Sequence, residues 1–120
     1  MSNPAHIAKG RFGEDYACRY LENKGYTIIQ RNARIGRAEI DIVAGNRDLI
    51  VFVEVKTRSD ARFGFPEEAV TEAKMARLQR AAEAWLVEND RTESYARFDV
   101  IALMFANGQV LDLRHFENAF

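Results

Sequence analysis

The chain contains few of the residues that mark secreted, disulfide-bonded or membrane proteins. Its 120 residues include one cysteine, two prolines and two histidines. The single cysteine, Cys18, excludes an internal disulfide and is typical of a reducing compartment. No apolar stretch approaches the ~20 residues of a membrane span, and the first residues lack the apolar segment of a signal peptide. We therefore expect a cytoplasmic protein that does not enter a membrane.

Neither sign of charge is in excess. The chain has 17 basic and 18 acidic residues, which gives a formal net charge of -1. A nearly neutral protein is not expected to bind polyanions indiscriminately. Hydrophobic residues make up 48% of the sequence, which is enough for one core without disulfides or a structural metal. We therefore expect a single domain that spans residues 1–120.

Turn signals and periodicity predict the element order α-β-β-β-α-β-β. The predicted elements are a helix from Asn3-Pro4 to about Lys24, a strand at 26–29, hairpin strands at 38–44 and 49–56, a helix at 67–88, and strands at 98–105 and 110–113. A turn at 45–48, a loop at 57–66 and a turn at Asn107-Gly108 connect them. This order predicts an α/β fold, with one mixed central sheet flanked by one helix on each side.

The predicted hairpin carries charges where an apolar pattern leads us to expect none. Its second strand is apolar on both faces from Leu49 to Val53, and then Glu54 and Lys56 interrupt the pattern. Its first strand carries Glu39 and Asp41. Because strand side chains alternate, we expect Glu54 and Lys56 to share one face, and Glu39 and Asp41 to share one face. A buried charge is costly without a partner, so the hairpin is the candidate site.

Asp41 and Glu54 are expected to be neighbours across the hairpin, within about 4.5–8 Å. Two carboxylates at that distance repel each other, and a divalent cation between them removes the repulsion. Oxygen ligands favour Mg²⁺, or alternatively Mn²⁺. Lys56 would then orient a water molecule or stabilise the charge of a phosphate. This set predicts metal-assisted attack of water on a phosphodiester.

Glu14 is a further candidate metal ligand or catalytic residue. It occupies the middle of a helical stripe that is otherwise apolar or small, formed by Ile7, Gly10, Ala17 and Leu21. Gly10 and Gly13 would let this helix approach the sheet closely. Two interpretations remain open: Glu14 ligates the metal or its bound water, or it forms a salt bridge with an arginine.

Basic residues surround the predicted acidic centre. Between residues 31 and 62 there are seven of them: Arg31, Arg34, Arg37, Arg47, Lys56, Arg58 and Arg62. On the second helix, Lys74, Arg77 and Arg80 recur at every third position. We take Arg37, Arg58 and Lys74 as the candidate nucleic-acid contacts, although a solvated mixed-charge surface would show the same pattern.

Several segments together resemble a known family. They are Gly10-Arg-Phe-Gly13-Glu14-x-x-Ala17, Ala38-Glu39-Ile40-Asp41, Val51-Phe52-Val53-Glu54-Val55-Lys56-Thr57-Arg58, Gly64-x-Pro66-x-Glu68-Ala69-Val70 with Lys74, and Phe98-Asp99-Val100-Ile101. In these segments the chain resembles the YraN-like family of uncharacterised bacterial proteins. That family in turn resembles the restriction-endonuclease-like superfamily, whose Asp…(Asp/Glu)-x-Lys motif falls on Asp41, Glu54 and Lys56.

The resemblance implies a restriction-endonuclease-like αβββαβ core, dependence on magnesium and a nucleic-acid substrate, with DNA preferred to RNA. It also leaves a homodimer open, since many resolvase-like enzymes act as dimers. Two other functions compete with a Mg²⁺-dependent nuclease or resolvase-like enzyme. One is a catalytically inactive nucleic-acid-binding module with the same fold, and the other is a partner-binding domain in which Glu54 and Lys56 form only an ion pair.

Overall fold

The computed structural model describes residues 4–58 and 71–120, with side chains from residue 11 onwards. The elements follow the chain as α1 (Pro4–Asn23), β1 (Thr27–Ile35), β2 (Ala38–Asn46), β3 (Leu49–Arg58), α2 (Glu72–Glu88), β4 (Tyr95–Ala106) and β5 (Gln109–Phe116). This is the predicted order α-β-β-β-α-β-β. Within the described residues, no helix has the length and apolar character needed to cross a membrane.

The strands form one mixed sheet in the order β1-β2-β3-β4-β5. β1, β2 and β3 form an antiparallel meander, and β4 and β5 form an antiparallel hairpin. β3 and β4 lie in the centre and run parallel, with Phe52 opposite Phe98 and Glu54 opposite Val100. The parallel pair requires a crossover connection, and α2 lies in that connection.

The two helices cover opposite faces of this sheet, as predicted. α1 packs Ala17 and Leu21 onto a core that includes Val51 and Val53 of β3. α2 packs Leu78 and Trp85 onto a second core that includes Phe52. Because β3 alternates between these two cores, it is apolar on both faces, and its pattern changes only at Glu54. A mixed sheet with one helix on each face is therefore confirmed.

Several predicted boundaries are wrong in detail. β1 continues to Ile35, although its second half was predicted as a connection, and the turn between β2 and β3 contains only Arg47 and Asp48. α2 begins at Glu72 after Thr71, whose side chain caps the helix by accepting a hydrogen bond from the Lys74 N–H. The predicted start of this helix at residue 67 lies outside the described residues.

Candidate active site

Asp41 lies where β2 separates from β3. The ladder between these strands ends at the Ile42–Val53 pair, so Asp41 and Glu54 are the next residues on either side. The Asp41 carboxylate replaces the missing ladder contact, because its Oδ2 accepts a hydrogen bond of 2.8 Å from the Val55 N–H. The hairpin register thus brings Asp41 to the strand that carries Glu54 and Lys56, as the sequence predicts.

The face alternation of β2 breaks at Asp41. Ile40 packs into the α2 core and Ile42 packs into the α1 core, although a regular strand would place both on one face. On β1, Asn32 lies between the residues paired with Ile42 and Ile40, and its φ is 53°. The alternation of faces along β2 is therefore interrupted between Ile40 and Ile42, and a shared face for Glu39 and Asp41 stays a prediction. An asparagine inside a polar segment was the available signal, because asparagine adopts positive φ more readily than most residues.

The Asp41 carboxyl lies in an environment that opposes its ionisation. Burial raises its pKa and the neighbouring Glu54 carboxylate raises it further, to about 7. The Val55 N–H and Lys56 oppose the rise, and Glu14 adds to it. The raised pKa means that the Asp41 carboxylate is destabilised by its burial and by the nearby Glu54 carboxylate.

Glu54 is buried and is held by two lysines. Its side chain is 6% exposed, and its Oε2 lies 3.6 Å from Lys56 Nζ and 3.2 Å from Lys74 Nζ. Lys56 comes from the same face of β3, whereas Lys74 reaches across from the first turn of α2. The Glu54–Lys56 pair follows from strand alternation, but the Lys74 contact depends on how α2 docks and is invisible in the sequence.

The two lysines have opposite pKa shifts. Burial lowers the pKa of Lys56, and the adjacent Lys74 ammonium lowers it further, against the attraction of Glu54 and Asp41. Burial opposes the charge of Lys74 as well, but its contacts with Lys56 and Glu54 outweigh this and raise its pKa. The surroundings therefore favour the charged form of Lys74, whereas Lys56 is the amine that loses its proton more readily.

Glu14 lies on the opposite side of Asp41, on α1. Its Oε1 is buried without a hydrogen-bond partner among the described residues, and Arg31 is 3.8 Å away. Arg31 makes its shorter contact, 2.8 Å, with Asp15. Burial raises the pKa of Glu14, and Arg31 and Asn32 only partly offset this effect. Glu14 thus forms a salt bridge with an arginine, Arg31, but the contact is long and leaves Oε1 without a hydrogen bond.

Close packing of α1 brings Glu14 near the sheet. A Cβ atom placed on Gly13 would lie 2.7 Å from Thr57 Cγ2, so a larger residue would push α1 away from the end of β3. Ala17 is buried one turn further along the helix, as the predicted stripe requires. The side chain of Ile7 and the surroundings of Gly10 lie outside what the structure describes.

The three candidate nucleic-acid contacts lie in different places. Arg37 is exposed in the turn between β1 and β2. Arg58, at the end of β3, donates a hydrogen bond of 3.2 Å to the Thr57 carbonyl. Lys74 contacts Glu54 and therefore lies inside the acidic centre. The structure brings Lys74 together with Asp41, Glu54 and Lys56, and leaves Arg37 outside this group.

The donor set fits a hard divalent cation in its chemistry. Asp41, Glu54 and Glu14 offer carboxylate oxygens. Among the described residues the Glu14 Oε1 has no hydrogen-bond partner, and a metal or its bound water would supply one. Within the described ranges, no three His, Cys, Asp or Glu side chains already stand in a metal-binding arrangement. Cation binding would therefore require these side chains to move toward one another.

Comparison with known proteins places these residues inside a family match. The model of "Uncharacterised protein family UPF0102" matches residues 13–103. A UPF0102 protein of Rhodococcus opacus (strain B4) is 44% identical over 115 residues, which covers 96% of this chain and 98% of the relative. A UPF0102 protein of Pelotomaculum thermopropionicum is 46% identical over 112 residues, covering 92% of this chain and 93% of the relative. These names state no activity, substrate or ligand.

Proposed function

From the premise that the chain belongs to the uncharacterised protein family UPF0102, we propose that it is a metal-dependent nuclease that hydrolyses phosphodiester bonds of nucleic acid. Family membership agrees with the resemblance to an uncharacterised bacterial family. Kinship with the restriction-endonuclease-like superfamily is part of this proposal.

One observation carries the proposal: a carboxylate pair and a lysine meet at the point where two strands separate. Asp41 bonds the Val55 N–H in the gap of the ladder, and Glu54 precedes Val55 on the same strand. Lys56 Nζ lies 3.6 Å from Glu54. An ion pair alone would need only Glu54 and one lysine. Such a pair would not need Asp41, a second buried carboxyl beside it. A buried carboxyl lowers stability, and binding of a cation would offset that cost.

Asp41, Glu54 and Glu14 would hold Mg²⁺ or Mn²⁺, and that ion when bound supplies Lewis-acid activation of water and of the phosphoryl group. Asp41 is fixed for this role by its bond to Val55, which orients the carboxylate. Lys74 contacts Glu54 from the α2 side and offsets part of its charge. The three carboxylates would thus ligate the ion, while Val55 and Lys74 orient two of them.

Lys56 is the residue that meets the attacking water. As a neutral amine it accepts the water proton, and as an ammonium it stabilises charge on the phosphate oxygens. Water attacks phosphorus, one P–O ester bond breaks, and the products are a phosphate monoester and a hydroxyl group. We propose DNA in preference to RNA as the substrate, a cytoplasmic location, and a homodimer as the assembly to test.

Cleavage assays test the proposal directly. Purified protein is incubated in Mg²⁺ with single-stranded, duplex and branched DNA, and products are resolved on denaturing gels. We expect cleavage of at least one substrate, its loss in EDTA, and a decrease of about 10²-fold or more in Asp41→Asn and Lys56→Ala. A parallel RNA substrate determines whether DNA is preferred.

Glu88→Gln is the matched control, because Glu88 is an exposed carboxylate at the far end of α2. It should cleave as the unaltered protein does. Cleavage that persists in both Asp41→Asn and Lys56→Ala would come from another site or a contaminant. A folded protein that cuts none of the substrates would refute hydrolysis, and salt-dependent binding without cleavage would indicate an inactive nucleic-acid-binding module.

A further inference from the structure

A second basic feature lies beside the acidic centre. The turn between β1 and β2 and the middle of α2 border an open surface cavity of about 250 Å³, lined by Ile35, Gly36, Arg37, Ala38, Arg77, Arg80 and Ala81. We call it the arginine cleft. Among these described residues, Ile35, Ala38 and Ala81 are apolar, and the charged ones are the three arginines.

The arginine cleft contains positive charge that no carboxylate of residues 4–58 and 71–120 pairs with. Arg37, Arg77 and Arg80 are exposed, and the described residues that line the cavity include no carboxylate. Among the described residues none of the three forms an ion pair. Arg31, by contrast, contacts Asp15 at 2.8 Å, and Arg97 contacts Asp99 at 2.8 Å. Three guanidinium groups around one cavity repel one another, and an anion between them would remove that repulsion.

Arginine is suited to one kind of anion. The guanidinium group is planar and presents parallel N–H donors that match two oxygens of a phosphate. The net charge of the whole chain is -1, so attraction to a polyanion must come from a local concentration of basic residues rather than from the total. The arginine cleft provides such a concentration.

The arginine cleft and the candidate active site both contain residues of α2. Lys74, Arg77 and Arg80 follow one another at every third position, and a rise of about 1.5 Å per residue places the first and last about 9 Å apart along the axis. Lys74 contacts Glu54, whereas Arg77 and Arg80 line the arginine cleft. On the other side, Arg37 and Asp41 are four positions apart, about 13 Å along an extended strand.

We infer that the arginine cleft binds backbone phosphates of the nucleic-acid substrate, to one side of the bond that is cut. This inference rests on the proposed function, because it takes the occupant to be the same polymer that reaches Asp41 and Glu54. The contacts go to phosphate and not to base edges, so binding at the cleft is independent of base sequence.

Binding measured without cleavage tests the inference. The probes are fluorescein-labelled single-stranded and duplex DNA of two unrelated sequences, titrated in EDTA at several salt concentrations and followed by fluorescence anisotropy. The variant is Arg77→Glu with Arg80→Glu. We expect binding to weaken at least tenfold for both sequences, and the slope of log K against log salt to fall by about two, one for each lost phosphate contact.

The matched control is Arg19→Glu with Arg91→Glu. Both residues are exposed and lie outside the arginine cleft, Arg19 on α1 and Arg91 beyond the end of α2. The two double variants have the same net charge, so a difference between them reports where the charge lies. Circular dichroism and melting curves verify that both fold, which we expect because none of the four side chains forms an ion pair within the described residues.

Each result decides something different. Weaker binding in the Arg77/Arg80 variant alone supports the inference, and it does so even if the unaltered protein never cuts DNA, which would refute hydrolysis only. Equal weakening in both double variants, or in neither, overturns the arginine cleft as a phosphate site, while cleavage that depends on Asp41 would leave the proposed nuclease intact. An unaltered protein that binds neither probe overturns both the inference and a DNA substrate.

Discussion

At the residue scale, the site depends on one backbone angle. Asn32 has a φ of 53°, and it lies across β1 and β2 from Asp41. The shift it accompanies lets Ile40 and Ile42 fill different cores, and leaves Asp41 between them with its carboxylate on the Val55 N–H. A residue with a Cβ atom pays for a left-handed conformation, which asparagine tolerates best after glycine.

We therefore predict that Asn32→Gly folds as the unaltered protein does, whereas Asn32→Ala lowers the free energy of unfolding by about 1 kcal/mol. Urea unfolding followed by circular dichroism measures both. Asn107→Ala is the control for backbone strain, because Asn107 has a φ of 51° in the turn between β4 and β5. Both alanine variants should lose stability, but only Asn32→Ala should also weaken Mg²⁺ binding. Equal Mg²⁺ affinity in Asn32→Ala and Asn107→Ala would show that the conformation of Asn32 does not affect the site.

At the element scale, the first turn of α2 places Lys74 against Glu54. Thr71 Oγ1 accepts a hydrogen bond of 3.2 Å from the Lys74 N–H, which satisfies one of the unpaired donors at the helix start. The same residue, Lys74, therefore receives the cap at its backbone and contacts the acidic centre with its side chain.

Thr71→Ala should lower stability by about 1 kcal/mol, and Thr71→Ser should retain it, since serine supplies the same hydroxyl. Thermal melting followed by far-ultraviolet circular dichroism measures the difference. If cleavage is observed, we also expect the alanine variant to be slower than the serine variant, because a frayed first turn releases Lys74. An alanine variant as stable as the serine variant would show that the cap contributes nothing.

A buried carboxylate joins β4, β5 and the residues after them. Asp99 is fully buried and accepts hydrogen bonds from Arg97 Nε at 2.8 Å, Arg97 Nη2 at 2.9 Å and the Asn118 N–H at 3.0 Å. His115 Nε2 lies 2.7 Å from its Oδ2. An ionised carboxylate cannot donate, so the imidazole nitrogen carries the shared proton. Arg97 and His115 thus both contact the buried Asp99 carboxylate.

We predict that Asp99→Asn lowers the free energy of unfolding by about 3 kcal/mol at neutral pH, because the half-buried Arg97 loses its close counter-charge and keeps only Glu117 at 3.9 Å. Burial acts to raise the pKa of Asp99, but the bonds from His115, Arg97 and Asn118 outweigh it and lower the pKa. A lowered pKa stabilises the fold at pH values above about 3.9, the value in the unfolded chain, and this stabilisation is lost as the pH falls through the lower folded value.

The difference in free energy of unfolding between the unaltered protein and Asp99→Asn should therefore shrink as the pH falls below about 4. Urea unfolding at pH 7 and in acid measures it. Asp112→Asn serves as the control. Its carboxylate is 48% exposed and pairs with Arg114 at the surface of β5, so the change should cost less than about 1 kcal/mol. A loss of the same size in both variants would mean that burial of Asp99 does not govern its contribution.

At the scale of the whole molecule, the buried parts of the fold were predictable and the exposed parts were not. β3 up to Glu54 and the middle of β4, residues 98–103, are buried on both faces, and their apolar runs identify them. β1 and β5 are sheet edges, and most of their residues are exposed or half-buried, so no alternation marks where they end. That is why the sequence predicts a connection at Arg31 to Arg34, where the structure continues β1.

The candidate site divides in the same way. Asp41 opposite Glu54, and Lys56 beside Glu54, follow from hairpin register and strand alternation, which are local properties of the chain. The contact of Lys74 with Glu54 and the convergence of Arg37 with Arg77 depend on how α2 docks onto the sheet. Tertiary packing of this kind leaves no periodic trace in the sequence.

The last prediction concerns the stability of the whole fold with and without a cation. A ligand that binds only the folded state at ten times its Kd adds about 1.4 kcal/mol, which raises the Tm of a domain of this size by several degrees. We expect Mg²⁺ to raise the Tm of the unaltered protein by this amount, measured against KCl of equal ionic strength. Asp41→Asn should abolish the rise while remaining at least as stable without metal, because the amide still accepts from Val55 and no longer repels Glu54.

Asp112→Asn carries the same chemical change on the exposed surface of β5 and should keep the full Mg²⁺ effect. A rise that survives in Asp41→Asn would place the cation away from the strand separation. No rise in the unaltered protein at millimolar Mg²⁺ would contradict the metal site, and Glu54 would then be explained by its two lysines alone. Only the combined result, a rise that requires Asp41 but not Asp112, connects the cation to the paired carboxylates.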